Sequence, residues 1–235
     1  MPQPASVLTT TLRLLTFRAS RDELANLGTP HLAFGLLATW IVGIGRWWDD
    51  PDAHLLQHLG LGSVAYVFVL AFVLWLLAKP LGPQNWTYRS VLTFVTLTSP
   101  PALLYAIPVE RFLDLETARL INVWFLAFVA VWRVALLVFY LRRLARLPWH
   151  CVVVATLLPI TLIVTVLTAL NLERAVFDVM GGLREEGTAA DSAYGVLVAL
   201  TLLSTILVGP LLLAYGLIWF FRSRSPSSRG RLRRD

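Results

Sequence analysis

Six apolar runs separated by short polar segments dominate the pattern of this chain. They cover residues 31–46, 59–78, 90–107, 120–141, 151–170 and 193–221. An α-helix rises 1.5 Å per residue, so a bilayer core of about 30 Å requires about 20 residues. Because each run approaches or exceeds this length, the pattern predicts an all-α, polytopic membrane bundle with six transmembrane helices.

The basic residues alternate between the two sides of these runs. If the segments between runs are numbered from the N-terminus, the odd segments carry 14 Lys and Arg residues and the even segments carry 5. Short cytoplasmic loops are enriched in Lys and Arg. The alternation therefore predicts that both termini are cytoplasmic. Of the 14 acidic residues, 11 lie in the even segments, which agrees with this orientation.

Three regions follow from this pattern. Residues 1–30 form a cytoplasmic segment with a predicted amphipathic helix in the headgroup plane. One face of that helix carries four apolar residues: Leu8, Leu12, Leu15 and Ala19. Residues 31–221 form the six-helix transmembrane domain. Residues 222–235 contain six arginines and few apolar residues, so we expect a disordered, basic cytoplasmic tail.

Composition narrows the possible partners. The chain is 57% hydrophobic and 14% charged, whereas soluble domains average about 25% charged residues. A pI near 10.1 would suit nucleic acid, but the basic residues flank predicted spans. We therefore predict the lipid bilayer and anionic lipid headgroups as partners, and no nucleic acid. The single cysteine, Cys151, excludes an internal disulfide and a thiolate zinc cluster. No cofactor is predicted.

Arg133 is the only charged residue well inside a predicted span, about 14 Å from the cytoplasmic end of that span. Intramembrane charges usually have a partner, yet no acidic residue occupies another span. In the third span, Pro100 removes the backbone donor for the Thr96 carbonyl. We therefore expect Arg133 to cap this kink or to form an anion or lipid-headgroup site. The oxygens would come from Thr96, Thr98 or Ser99. The structural alternatives are helix packing and snorkelling of the side chain to the interface.

Two histidines in the first outer loop are candidate metal ligands. His54 and His58 stand at i and i+4, so they share one face of a helix that starts after Pro51. Asp50 is a candidate third ligand. The alternative is that both histidines are solvated near the headgroups, because a metal site needs three or four ligands. No hydrolytic zinc motif or nucleotide-binding loop is present, which favours a non-enzymatic function.

One stretch also carries a family resemblance. It contains a basic start at Tyr88-Arg89, the mid-span sequence Ser99-Pro100-Pro101, and a Leu- and Arg-rich loop from Leu141 to Trp149. Residues 88–150 resemble the central part of bacterial Yip1-like membrane proteins. The resemblance implies a cytoplasmic N-terminus, five or six helices and no established catalytic residues. Eukaryotic members of that family are associated with small GTPases and membrane traffic. We do not expect these partners for this chain.

Together these patterns predict a multi-pass protein of a bacterial inner membrane. Its basic cytoplasmic face would organise the membrane or recruit a membrane or cytoplasmic protein partner. Two alternatives stay open. One is a small transporter or permease component with a midplane site at Arg133, and the other is a membrane enzyme with an outer-face metal site. A hydrated cavity at Arg133 would favour transport, whereas dry helix packing would favour the adaptor.

Overall fold

The computed structural model describes residues 6–45, 55, 59–170 and 190–224, and within them the chain is helical without a strand. The helices in chain order are α1 (Val7–Leu15), α2 (Arg21–Ala25), α3 (Thr29–Ile44), α4 (Leu61–Ala78), α5 (Tyr88–Leu97), α6 (Leu115–Arg143), α7 (Trp149–Ala169) and α8 (Ala190–Arg224). Short 3₁₀ helices cover Lys79–Leu81, Pro100–Ala106 and Val109–Arg111. Each predicted apolar run therefore falls largely on helix.

Four segments of the described residues are long and apolar enough to cross a bilayer. They are Leu61–Leu81, Glu116–Arg143, Trp149–Ala169 and Val198–Arg224. The described part of the chain is therefore all-helical, as predicted, with the composition of a polytopic membrane protein. The helix α3 is shorter, with 16 residues, and the third predicted span is divided between α5 and a 3₁₀ helix. The number of six spans and the cytoplasmic orientation stay predictions.

The helix α5 forms the centre of the bundle. Every residue from Val91 to Ser99 is buried, as expected for a helix that is packed on all sides. Both α3 and α4 pack against it, and Phe94 stacks on Tyr140 of α6 with ring centroids 4.1 Å apart. The helix α7 contacts α4 and α6, and α8 packs along α7.

Small residues on one face of α3 allow this close packing. A methyl group added at Gly35 would lie 2.8 Å from the Cβ of Thr96, and one at Gly43 would lie 2.8 Å from a carbonyl oxygen of the segment before α4. Between the two glycines, the hydroxyls of Thr39 and Ser99 form a buried hydrogen bond of 2.7 Å. Residues four positions apart share one helix face, and small residues at such faces let membrane helices approach closely.

The proline pair after α5 changes the type of helix, and the carbonyl of Thr96 still receives a backbone donor. Pro100 and Pro101 have no N–H to donate, and the chain becomes a 3₁₀ helix there. The N–H of Ser99 donates to the carbonyl of Thr96 at 3.1 Å, and the N–H of Ala102 donates to Ser99 at 2.9 Å. The 10 residues of α5 and the 7 residues of the 3₁₀ helix together extend about 29 Å.

Candidate functional site

Several helix ends and two connecting segments meet at one end of the bundle. The N–H of Gln84 donates to the Ala145 carbonyl at 3.0 Å, which joins the two connecting segments. Arg21 donates to the Gln84 side chain at 3.2 Å, and Arg222 donates to the Leu81 carbonyl. We call this region the basic end and define it as residues 13–31, 79–89, 142–151 and 222–224.

The charge of the basic end is almost entirely positive. It contains ten Lys and Arg residues but only two acids, Asp22 and Glu23. Arg13 and Glu23 form an ion pair of 2.5 Å, the only salt bridge within the described ranges. A hydrogen bond from the Ser20 backbone, assisted by Arg13, holds the pKa of Glu23 below its usual value. The remaining cations produce a surface that attracts anions.

Aromatic rings and backbone carbonyls, rather than carboxylates, hold several of these cations. The guanidinium of Arg142 lies 4.6 Å from the ring centroid of Trp149, and the Lys79 ammonium lies 4.9 Å from that of Trp75. Cation–π contacts orient a cation while its full charge is retained. Aromatic and basic side chains at helix ends are typical of the membrane–water interface. The basic end therefore has a composition typical of the membrane–water interface.

A groove of about 360 Å³ opens at the basic end, between the first turn of α7 and the last turns of α8. We call it the α7–α8 groove. The residues that line it are His150, Cys151, Leu217, Ile218, Phe221 and Arg222. The α8 wall of the groove is largely apolar, whereas the imidazole of His150 and the guanidinium of Arg222 form its polar part. The groove therefore combines an apolar surface with a cationic one.

Arg133 is half-buried on α6. The indole N–H of its neighbour Trp132 donates to the Leu15 carbonyl at the end of α1, at 3.1 Å. Phe17 packs on the Trp132 ring with centroids 5.9 Å apart. Arg133 itself forms no hydrogen bond or ion pair with another residue that the structure describes. Its side chain is therefore free to reach toward an interface or an anion.

The hydroxyls that were expected to receive Arg133 are buried in the centre of the bundle and bonded elsewhere. Thr96 and Thr98 donate to carbonyls three residues earlier, at 2.9 and 2.7 Å, and Ser99 pairs with a threonine of α3. The expected cap at Pro100 is not formed by Arg133, because the 3₁₀ geometry supplies a backbone donor to the Thr96 carbonyl. Anion binding at these four residues stays a prediction.

The candidate metal ligands Asp50, His54 and His58 lie outside the described residues. Metal binding at the outer loop therefore stays a prediction. Within the part of the chain that the structure describes, no three His, Cys, Asp or Glu side chains come together to hold a metal ion.

No protein-family model, curated protein or solved structure matches this chain. The resemblance to Yip1-like proteins accordingly stays a prediction. The function is inferred from the basic end and its groove.

Proposed function

We propose that this chain is a non-enzymatic, Yip1-like membrane protein whose basic end binds anionic lipid headgroups. It would lie in a bacterial inner membrane with its basic end toward the cytoplasm, where it organises the membrane or recruits a protein partner. The observation that carries this proposal is the holding of Arg142 and Lys79 by aromatic rings. Because no carboxylate of the described residues pairs with these two cations, their charge stays available to lipid phosphates.

The order of the helices supports six passes through the membrane. Gln84 joins the α4–α5 connection to the α6–α7 connection, Arg222 at the end of α8 reaches Leu81, and Arg89 donates to Thr29 at the start of α3. Thus α3, α5 and α7 begin at the basic end, whereas α4, α6 and α8 end there. The lengths of α3, about 24 Å, and of α5 with its 3₁₀ extension, about 29 Å, approach the bilayer core.

This arrangement agrees with the alternation of basic residues along the chain. Every odd segment contributes to the basic end, as a positive cytoplasmic side requires. No observation on the described residues favours the transporter or the outer-face enzyme. We therefore propose lipid binding at the basic end rather than either alternative.

Lipid-dependent stability tests the proposal. The purified full chain in a neutral detergent is titrated with phosphatidylglycerol or phosphatidylcholine, and its thermal unfolding is followed. A ligand that binds only the folded state at 100 times its Kd stabilises that state by about 2.7 kcal/mol. We expect phosphatidylglycerol to raise Tm more than phosphatidylcholine does, and added salt to reduce the difference by screening.

Exposed arginines at the two ends of the bundle provide the matched variants. Arg143 and Arg146 lie exposed at the basic end, and Arg111 lies exposed after α5 at the opposite end. Arg143→Gln with Arg146→Gln should weaken the preference for phosphatidylglycerol by about 1 kcal/mol per residue, whereas Arg111→Gln should leave it unchanged. Equal stabilisation of the wild-type protein by both lipids would contradict the proposed function.

A further inference from the structure

We propose that the α7–α8 groove binds one anionic phospholipid, with the phosphate at Arg222 and an acyl chain along α8. This inference rests on the proposed function and assigns its ligand to a defined site. The groove has a volume of about 360 Å³, which accommodates a headgroup phosphate and the adjoining part of one chain. The proposal has three structural supports: an anchored guanidinium, an uncapped helix start and an apolar wall.

Arg222 is positioned by the backbone rather than by an acid. Its guanidinium donates to the carbonyl oxygens of Leu81 and Gly82, the latter at 3.1 Å. Gly82 has a φ of +68°, and a side chain there would collide with the guanidinium. A guanidinium carries five N–H donors, so three stay available after these two bonds. Because no carboxylate of the described residues lines the groove, Arg222 offers a fixed, full positive charge to an anion.

The facing wall is the start of α7. This 21-residue helix begins after Pro148 without a side-chain cap and without an acidic residue in its first turn. The first N–H groups of a helix have no partner within it, and the helix dipole is positive there. His150 and Cys151 of this first turn line the groove. An anion beside Arg222 would therefore also lie near unpaired backbone donors, an arrangement that favours phosphate.

The apolar part of the α8 wall distinguishes a lipid from a free anion. Leu217, Ile218 and Phe221 of α8 line the groove, and Leu217 and Phe221 are 49% and 67% exposed. Trp149, an interfacial type of residue, lies next to the groove and is exposed. A soluble phosphate would leave this apolar surface uncovered, whereas an acyl chain would cover it. The combination of walls therefore fits an amphipathic anion, and we assign the groove to an anionic phospholipid.

Two groove variants and two matched controls test this assignment. Arg222→Gln removes the charge, and Leu217→Trp fills the apolar wall without removing the contacts of Arg222. Two controls lie outside the proposed site: Arg111→Gln removes an exposed charge at the opposite end of the bundle, and Leu212→Trp changes α8 on another face, since Leu212 lies five residues before Leu217 and is similarly exposed. The affinities of the full chain for dioctanoyl phosphatidylglycerol, dioctanoyl phosphatidylcholine and inorganic phosphate are measured by ligand-dependent thermal shift and native mass spectrometry.

We expect Arg222→Gln to bind phosphatidylglycerol about fivefold more weakly, as about 1 kcal/mol per basic residue implies. We expect Leu217→Trp to bind it more weakly as well, because the indole occupies the space of the acyl chain, and both controls to bind as the wild type does. Unchanged affinity in both groove variants would overturn the groove assignment but leave the proposed function standing. A loss of affinity for phosphatidylglycerol in Arg222→Gln alone would mean that no acyl chain occupies the groove. Inorganic phosphate that binds as tightly as the lipid would assign the groove to a soluble anion. Either result overturns the lipid assignment. Equal wild-type affinity for both lipids would reject the proposed function as well.

Discussion

Gly35 makes the closest approach between α3 and the central helix α5. Replacing it with alanine would place a methyl carbon 2.8 Å from the Cβ of Thr96 and 3.1 Å from the backbone nitrogen of Leu97. These neighbours are a β-carbon and a backbone atom, neither of which can rotate away, and both residues are fully buried. The two helices must therefore separate. We expect Gly35→Ala to destabilise the protein.

The expected change in the free energy of unfolding has three contributions, two unfavourable and one favourable. Overpacking of a tight contact costs about 1–3 kcal/mol, and alanine gains about 1 kcal/mol over glycine within a helix. Separation of α3 from α5 would also weaken the buried hydrogen bond between Thr39 and Ser99, one turn away, which is worth about 1 kcal/mol. The expected net loss in the free energy of unfolding is about 1–3 kcal/mol.

Gly216 provides the matched control, because a methyl group added there meets nothing within 4 Å. Gly216→Ala should stabilise α8 by up to about 1 kcal/mol. The measurement is the unfolding of both purified variants in mixed micelles with a denaturing detergent. In addition, Gly35→Ala combined with Thr96→Ala should cost less than the sum of the single changes, because the second change removes the Thr96 Oγ1 atom, which lies closest to the added methyl group, and sites in contact are not additive. A Gly35→Ala variant as stable as the wild type would refute the reasoning.

Two further predictions concern Arg133 and the orientation of the chain. Since Arg133 has no bonded partner among the described residues, Arg133→Leu should change the free energy of unfolding in detergent by less than about 0.5 kcal/mol. Trp132→Phe loses a hydrogen bond to α1 and should cost about 1 kcal/mol. A larger loss for Arg133→Leu than for Trp132→Phe would contradict this prediction. In a Cys151→Ser background, Leu113→Cys should react with an impermeant maleimide in intact spheroplasts and Ser223→Cys should not. The opposite labelling would reverse the orientation.

The positions of the helices could be predicted largely from the sequence because apolar length is the main constraint that a bilayer imposes. The exception is the third run, where the α-helix ends at Leu97. Its proline pair indicates a break, but it does not reveal which donors replace the lost ones. The N–H of Ser99 fills that role for Thr96. The expected role of Arg133 as a cap depended on a continuous α-helix, and the structure has none there.

The side of α1 that packs against the bundle could not be predicted from the sequence. The apolar stripe of α1 includes Leu8 and Leu12, yet these are more than half exposed, whereas Thr10, Thr11 and Leu14 are buried against the bundle. In a soluble protein the apolar face identifies the packed side. Next to a membrane, an apolar face can instead contact lipid, and small polar residues can face the protein. The pattern therefore predicts an amphipathic helix but not the side that packs.

The α7–α8 groove could not be derived from the chain alone, because its two walls are about 70 residues apart in sequence. The local signals were present: a helix start after Pro148 without a cap, and an apolar helix end that closes on Phe221 and Arg222. Neither signal specifies the other as its neighbour. The contact between them arises from the packing of α8 along α7, which is a property of the tertiary structure.

Lipid binding and the attachment of α8 are physically linked. Only 11% of the most apolar window of α8 is buried, so this helix is held mainly by its contact with α7 and by the bonds from Arg222 to Leu81 and Gly82. Those bonds hold the Arg222 cation against the segment that also carries Lys79, and like charges repel over roughly 8 Å at physiological salt. An anionic headgroup in the groove would reduce this repulsion and touch both α7 and α8. The lipid composition of the membrane would therefore govern how firmly α8 is held to the bundle.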